Sequence, residues 1–307
     1  MAVGEATRVV ITAPGRSGST LLQSAFIASC DAITFFEPCL HSPLGDVRRE
    51  QCAEQIVRFL MCKLPAKHGH WDRPPMRRWL QTPYLHVKSC PSIPPFDSVE
   101  EATAWCEQSR HVVVKEIRVI GQLSKLVSRL QPIASPSDPI AIIQLVRDPR
   151  ATLASQRRLL WHGLRGANAH QSNEILRRVA KRTCGGMLAD SRKGSMLHRR
   201  HGFVFMRVRY EDLIANFTRV VDTLYHRMGW QISFSTHERL KMVALGRCDK
   251  SVEVTRQQID YSICRDISAA QNSTGLKKNW TTALTRREQG IIHKVCAPAM
   301  HHFGYLH

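Results

Sequence analysis

The residues best suited to chemistry in this 307-residue chain stand together in Ala13-Pro-Gly-Arg-Ser-Gly-Ser-Thr20. An apolar run precedes them and a helical pattern follows. Glycines at such a junction let backbone N–H groups converge on an anion, and the helix start adds its positive end. A nucleoside-triphosphate loop reads G-x-x-x-x-G-K-[ST]. Here Ala13 and Gly18 hold the glycine positions, and Ser19 stands where the lysine belongs. The cation has moved to Arg16, so a shorter phosphate group held by Arg16, Ser17, Gly18, Ser19 and Thr20 fits better than a Mg2+-bound β,γ-phosphate. Taken alone, the segment also reads as an ordinary Gly/Ser turn before a helix.

A second anion site is suggested by Gln144-Leu-Val-Arg-Asp-Pro-Arg150. Arg147 ends an apolar run, and Ser155 follows about two helical turns later. In an open parallel sheet this is the edge where ligands bind, and Arg147 carries the forked donor suited to phosphate. The alternative makes Arg147 and Asp148 a local ion pair capping the helix. A Walker-B carboxylate would end the apolar run directly, which again disfavours Mg2+-dependent hydrolysis.

The elements that must position these groups follow from the apolar periodicity. Strands are expected over Arg8–Ala13, Ala32–Phe36, His111–Ile120, Ile140–Val146 and Phe203–Val208. Helices are expected over Ser19–Ser29, about Val47–Cys62, Gln122–Leu130, Ala151–Leu160, Ser172–Ser191 and Tyr210–Met228, with Gly229 as the last stop. Their alternation predicts an α/β fold, a P-loop-type parallel sheet flanked by helices in a single domain spanning 1–307. Residues 44–110 are the least regular and Pro-rich, an expected insertion that could form an acceptor cleft. No internal repeat or long low-complexity tract is present.

Composition narrows the class. Forty-four Lys+Arg against 25 Asp+Glu give a net charge of +19, a surface that attracts polyanions such as acidic glycans or phosphorylated cofactors. No apolar stretch is long enough to span a bilayer, and the polar start is no signal peptide. The ten cysteines include no C-x-x-C, which argues against a zinc ribbon. Cys39 and His41 lack further ligands at zinc spacing, so no metal is expected. Sequons at Asn216, Asn272 and Asn279 matter only in a secretory compartment.

The loop PGRSGST and the segment LVRDPRATLAS resemble the two nucleotide-binding signatures of sulfotransferases that use 3′-phosphoadenosine 5′-phosphosulfate (PAPS), with the Golgi carbohydrate (galactose/N-acetylglucosamine/N-acetylgalactosamine 6-O) sulfotransferases the nearer pattern. FFEPCLH, VVVKEIRV, VRYEDLIANF and the ending NWTTALT…VCAPAMHHFGY extend the resemblance along nearly the whole chain. It implies that Arg16, Ser17, Gly18, Ser19 and Thr20 hold the 5′-phosphosulfate, and that Arg147 and Ser155 hold the 3′-phosphate. It further implies Glu37 as general base and Lys115 at the leaving phosphate, with Arg16 beside it. Lys278, with Lys277, would lie in a loop closing over the 3′-phosphate, although a solvated basic loop is an equal reading.

Other readings stay open at this level. His41 rivals Glu37 as base because its ordinary pKa lies nearer neutrality. Glu37 could instead form a structural ion pair with Arg118 or Arg16, and Lys115 could snorkel from a strand end. Arg118 could bind phosphate or an acidic acceptor, and the cluster His198–His201 reads as a charged helix end. The expected function is metal-independent in-line transfer to a hydroxyl, on a glycan or glycoconjugate and with no nucleic-acid partner. A non-catalytic protein that binds acidic glycans and a P-loop kinase are the alternatives. The resemblance and sequons imply the Golgi lumen. Its usual membrane anchor does not appear before the first strand, and a chain complete without one would be cytoplasmic.

Overall fold

A computed structural model of the chain describes residues 5, 7–29, 31–39, 49–64, 80–81, 98–158, 168–197, 202–244 and 279–306. Strand β1 (Arg8–Thr12) lies inside the sheet because both of its faces are apolar, with Val9, Val10 and Ile11 fully buried. In chain order, β2 (Ala32–Phe36), β3 (Leu80–Gln81), β4 (His111–Glu116), β5 (Ile140–Val146) and β6 (Phe203–Arg209) complete a six-stranded sheet. The spatial order is β3-β2-β4-β1-β5-β6. Five strands run parallel, whereas β3 pairs antiparallel with β2. This edge strand has only two residues, too short for its alternation to be read from sequence.

The parallel register sets the carboxyl ends of five strands along one edge. Glu37, the loop after Thr12, Arg118 and Arg147 all emerge there. Strand β4 stops at Glu116, short of the expected Ile120, because the Glu116 carboxylate takes the Ile117 and Arg118 N–H groups that would have continued the ladder.

The helices are α1 (Ser19–Ile27), α2 (Arg49–Leu60), α3 (Val99–Gln108), α4 (Leu123–Leu130), α5 (Pro149–Arg158), α6 (Ala169–Leu197), α7 (Tyr210–Ala215), α8 (Phe217–Met228), α9 (Phe234–Ala244), α10 (Asn279–Ala283) and α11 (Arg286–His302). The expected single helix over Tyr210–Met228 breaks at Asn216, whose side chain caps α8 by accepting the Arg219 N–H. Gly229 ends α8 at φ 78°, the left-handed cap that glycine adopts without strain. Thr285 and Glu288 start α11 with a reciprocal capping box.

Alternate residues of each strand feed opposite layers. Val10, Phe35, Val114 and Ile142 pack towards α2, α3 and α4. Val9, Ile11, Val113 and Ile143 pack towards α1, α8 and α9. A further cluster joins α5, α6 and α11, crossed by the Cys184–Cys296 disulfide. Two more disulfides, Cys39–Cys52 and Cys62–Cys106, tie the stretch after β2 to α2 and α3. Cys39 is therefore no thiolate metal ligand. No helix among the described residues is long and apolar enough to cross a membrane.

Candidate active site

The loop after β1 has the backbone its glycines allow. Gly18 sits at φ 90° and Arg16 at φ 69°, both in the left-handed region. No side chain caps α1, so no capping side-chain oxygen takes its first-turn N–H groups. Ser17 is fully buried and its hydroxyl donates to the Pro14 carbonyl at 2.6 Å. That hydroxyl shapes the loop, leaving Gly18, Ser19 and Thr20 to offer donors.

Residues after β5 grip this loop from the side. Gln156 Nε2 donates to the Gly15 carbonyl at 2.8 Å, and Arg147 Nη1 to the Arg16 carbonyl at 3.1 Å. Arg16 Nε reaches the Ser155 hydroxyl at 3.4 Å. Arg16, Arg147 and Ser155, chosen from two separate motifs, thus meet in one place. Tyr210 forms the floor beneath them. The Arg147 guanidinium lies 4.4 Å from its ring centroid, and a Cβ built on Gly18 would come within 2.3 Å of the ring.

An outer ring of contacts holds Arg147 in register. The Asp148 N–H donates to Glu211 Oε1 at 3.0 Å, and the Tyr305 hydroxyl donates to Glu211 Oε2 at 2.8 Å. Arg150 clasps Asp148 and donates to the Tyr305 carbonyl at 3.0 Å. Asp148 is thereby engaged by Arg150, which excludes the local Arg147–Asp148 cap. Burial and the Glu211 carboxylate push the Tyr305 phenol far above its ordinary pKa, so it stays a donor.

A second constellation occupies the ends of β2 and β4. Glu37, at φ 48°, is held by its own N–H, which donates to the Lys115 carbonyl at 2.7 Å. Lys115 is 1% exposed. Its ammonium donates to Glu37 Oε1 at 2.6 Å and lies 3.6 Å from the Phe36 ring centroid. Arg118 Nη1 bridges Glu37 Oε2 and Glu116 Oε1, each at 3.0 Å. Lys115 is therefore an internal ion-pair partner and does not snorkel, and Glu37 pairs with Lys115 and Arg118, leaving Arg16 to the loop.

Opposing effects set the protonation states here. Burial alone would favour a neutral Glu37, but the charges and hydrogen bonds of Lys115 and Arg118 outweigh it and hold the carboxyl below its ordinary value. Burial lowers Lys115 despite Glu37, and burial raises Glu116 despite Arg118. Arg118 moves upward because the two carboxylates overcome the cost of its burial.

His41, Lys277 and Lys278 lie outside the described residues. Sequence reasoning passed over Glu116, Gln156, Glu211 and the contacts of Tyr210 and Tyr305. One signal was available: Lys115-Glu116 places adjacent charges at the end of an apolar strand, and neither can be buried without a partner.

The chain has known relatives in sequence and in fold. Residues 6–304 match the sulfotransferase domain family. Carbohydrate sulfotransferase 3 of Rattus norvegicus is 25% identical over 218 residues, covering 68% of this chain and 42% of that protein. The chain thus spans about two fifths of that relative's length. Carbohydrate sulfotransferase 1 of Danio rerio is 24% identical, covering 97% of this chain and 78% of that protein. In fold, mouse sulfotransferase SULT7A1, solved with PAP, superposes with a TM-score of 0.51 at 9% identity, over 96% of this chain and 85% of that one. A match over nearly every residue, with its motifs converging at one sheet edge, means that this chain belongs to the sulfotransferase domain family.

Proposed function

We propose that this protein transfers the sulfuryl group of PAPS to a hydroxyl on a glycan or glycoconjugate. The observation that carries the reading is the interlock of the loop at 13–20 with Arg147 and Ser155, which gathers anion donors from two motifs at the ligand-binding edge of a parallel sheet. The relatives' names favour a carbohydrate acceptor, and the PAP in the mouse sulfotransferase favours the donor. The net charge of +19 suits an acidic glycan.

The acceptor oxygen attacks sulfur as the bond from sulfur to the 5′-phosphate oxygen breaks. The departing 3′-phosphoadenosine 5′-phosphate keeps that electron pair, and the acceptor proton passes to Glu37. Arg16, the first-turn N–H groups of α1 and Lys115 stabilise the charge growing on the leaving phosphate. Lys115 also couples the two halves of the site. A phosphate that draws its ammonium away from Glu37 removes one of the two cations that hold the carboxyl down, and the carboxylate becomes a stronger base when donor is present. By the family resemblance Lys278 adds a further cation at the 3′-phosphate, and these steps use no metal.

Within the segment at 44–110, Cys39–Cys52 ties α2 to the chain just after Glu37 and Cys62–Cys106 ties α3 to the end of α2, which favours this segment as the acceptor-binding part. Three disulfides among the described residues suit an oxidising secretory lumen, the Golgi in the family resemblance. Asn216 is exposed, and its sequon would be open to glycosylation in such a compartment.

Calorimetry with 3′-phosphoadenosine 5′-phosphate, without Mg2+, tests the donor site. Arg16→Ala and Arg147→Ala should each weaken binding by about 10–100-fold, the worth of a charge-assisted hydrogen bond. Glu37→Gln should leave that binding intact while lowering turnover by about 100–10,000-fold. No binding to a folded sample would end the donor assignment. Binding with no turnover, unaltered by Glu37→Gln, would instead indicate a non-catalytic polyanion-binding protein.

A further inference from the structure

Glu116 has no part in the transfer just described, yet it is the best-connected side chain near the proposed base. It is fully buried, and both of its oxygens are already taken by protein donors. Oε1 accepts the Ile117 N–H at 2.9 Å and the Arg118 N–H at 3.0 Å. The same oxygen accepts Arg118 Nη1 at 3.0 Å, and Oε2 accepts the Cys39 N–H at 2.9 Å. One carboxylate thus fixes the turn after β4, the guanidinium that grips Glu37, and the chain two residues beyond Glu37.

The backbone of Glu37 is bracketed as a result. Its own N–H is bound to the Lys115 carbonyl, and the Cys39 N–H is bound to Glu116. Between those two anchors Glu37 holds a left-handed backbone, at φ 48°, which a non-glycine residue keeps only when its surroundings enforce it. The charges also balance: Lys115 and Arg118 against Glu37 and Glu116. A buried carboxylate costs several kcal/mol unless paired and hydrogen-bonded, so an apolar strand end would not carry one merely to finish β4.

We infer that Glu116 is a positioning residue for sulfuryl transfer, holding Glu37 and Arg118 in their working geometry through the Cys39 N–H and the Arg118 guanidinium. The inference rests on Glu37 as the base. Glu116 also shares the charge of Arg118 with Glu37; without it that charge falls on Glu37 alone and makes it a weaker base. Glutamine cannot replace it, because an amide that accepts from Arg118 turns its NH2 towards the Cys39 N–H.

The test compares Glu116→Gln, Glu116→Asp and Glu37→Gln in the full chain, reading kcat, KM, binding of 3′-phosphoadenosine 5′-phosphate and the pH–rate profile. Glu116→Gln is expected to lower kcat by about 10–100-fold, the scale of a small misplacement of a reacting group. Donor affinity should hold, and the acidic limb of the profile should move down by about one pH unit as Arg118 acts on Glu37 alone. The charged groups facing that limb are Glu37, Lys115, Arg118 and Glu116 itself. Glu116→Asp keeps the charge but not the reach, so kcat should fall with the limb unmoved; it also decides the matter if Glu116→Gln does not fold. Wild-type kcat in either Glu116 variant, or a lower melting temperature with kcat and limb unchanged, overturns the inference. Full activity in Glu37→Gln removes the base assignment and this inference together, whereas an inactive Glu37→Gln beside an unchanged Glu116→Gln removes the inference alone.

Discussion

The two halves of the site handle charge in opposite ways. Around the loop at 13–20, arginines contact backbone carbonyls and a hydroxyl, with Arg16 exposed and Arg147 half-buried. Among the described residues neither arginine meets a carboxylate, so an anion could take both cations without breaking an ion pair seen here. At the ends of β2 and β4, two acids and two bases neutralise one another, with Lys115, Glu37 and Glu116 buried and Arg118 partly exposed. In the proposed function the first half receives the anion, and the second is the ion-pair network whose balance the donor disturbs. An exposed cation offers affinity cheaply, whereas a buried pair offers responsiveness, because removing one partner leaves the other uncompensated.

The largest test of this contrast is Gly18→Ala. Its Cβ would meet the Tyr210 ring at 2.3 Å on a backbone at φ 90°, a strain of about 1–3 kcal/mol at the centre of the open half. Affinity for 3′-phosphoadenosine 5′-phosphate should fall by about 100-fold or more through the displaced donors. Retained affinity would mean that the loop does not depend on its glycine.

A smaller effect separates the halves from the other side. The Cys39→Ser/Cys52→Ser double variant releases the tether two residues after Glu37 and closes no new contact with the loop at 13–20. Stability should drop by about 2–4 kcal/mol and kcat by about tenfold, with donor affinity unchanged. An unchanged kcat would show that backbone hydrogen bonds alone keep the closed network in place.

The smallest prediction concerns the far end of the Arg118 loop. Asp190 accepts the Gly121 and Leu123 N–H groups at 2.7 and 2.9 Å. Burial, opposed by those bonds, raises it from 3.8 to about 6. The folded protein therefore holds this proton more tightly than the unfolded chain. That stabilisation is complete below pH 3.8 and is lost as pH rises through about 6. Acidifying from about pH 7.5 to about pH 5 should raise the Asp190 contribution to the melting temperature by about 2–4 °C. Asp190→Asn should remove that part of the pH dependence, and an identical slope in the variant would place the titration elsewhere.

Some of this was legible in the linear chain. The strands Ala32–Phe36 and Ile140–Val146 coincide with their expected bounds, because continuous apolar runs ending in charge or proline leave little choice. The break at Asn216 was not legible, since an asparagine in a helical pattern becomes a cap only when the flanking helices take different directions. Short β3 and helices α3, α9, α10 and α11 lay beyond the periodic segments that stood out.

The sequence by itself determined the parallel sheet, the glycine loop without a Walker lysine, and the identity of most charged groups at the strand ends. Those features are local, written in apolar period and residue type. Only the tertiary structure decided who pairs with whom: Lys115 with Glu37, Arg118 between two carboxylates, Asp148 with Arg150, Cys39 with Cys52. The physical reason is that a buried charge accepts any partner of opposite sign within reach. Reach is set by strand order, which puts β4 between β2 and β1 although it follows both in the chain.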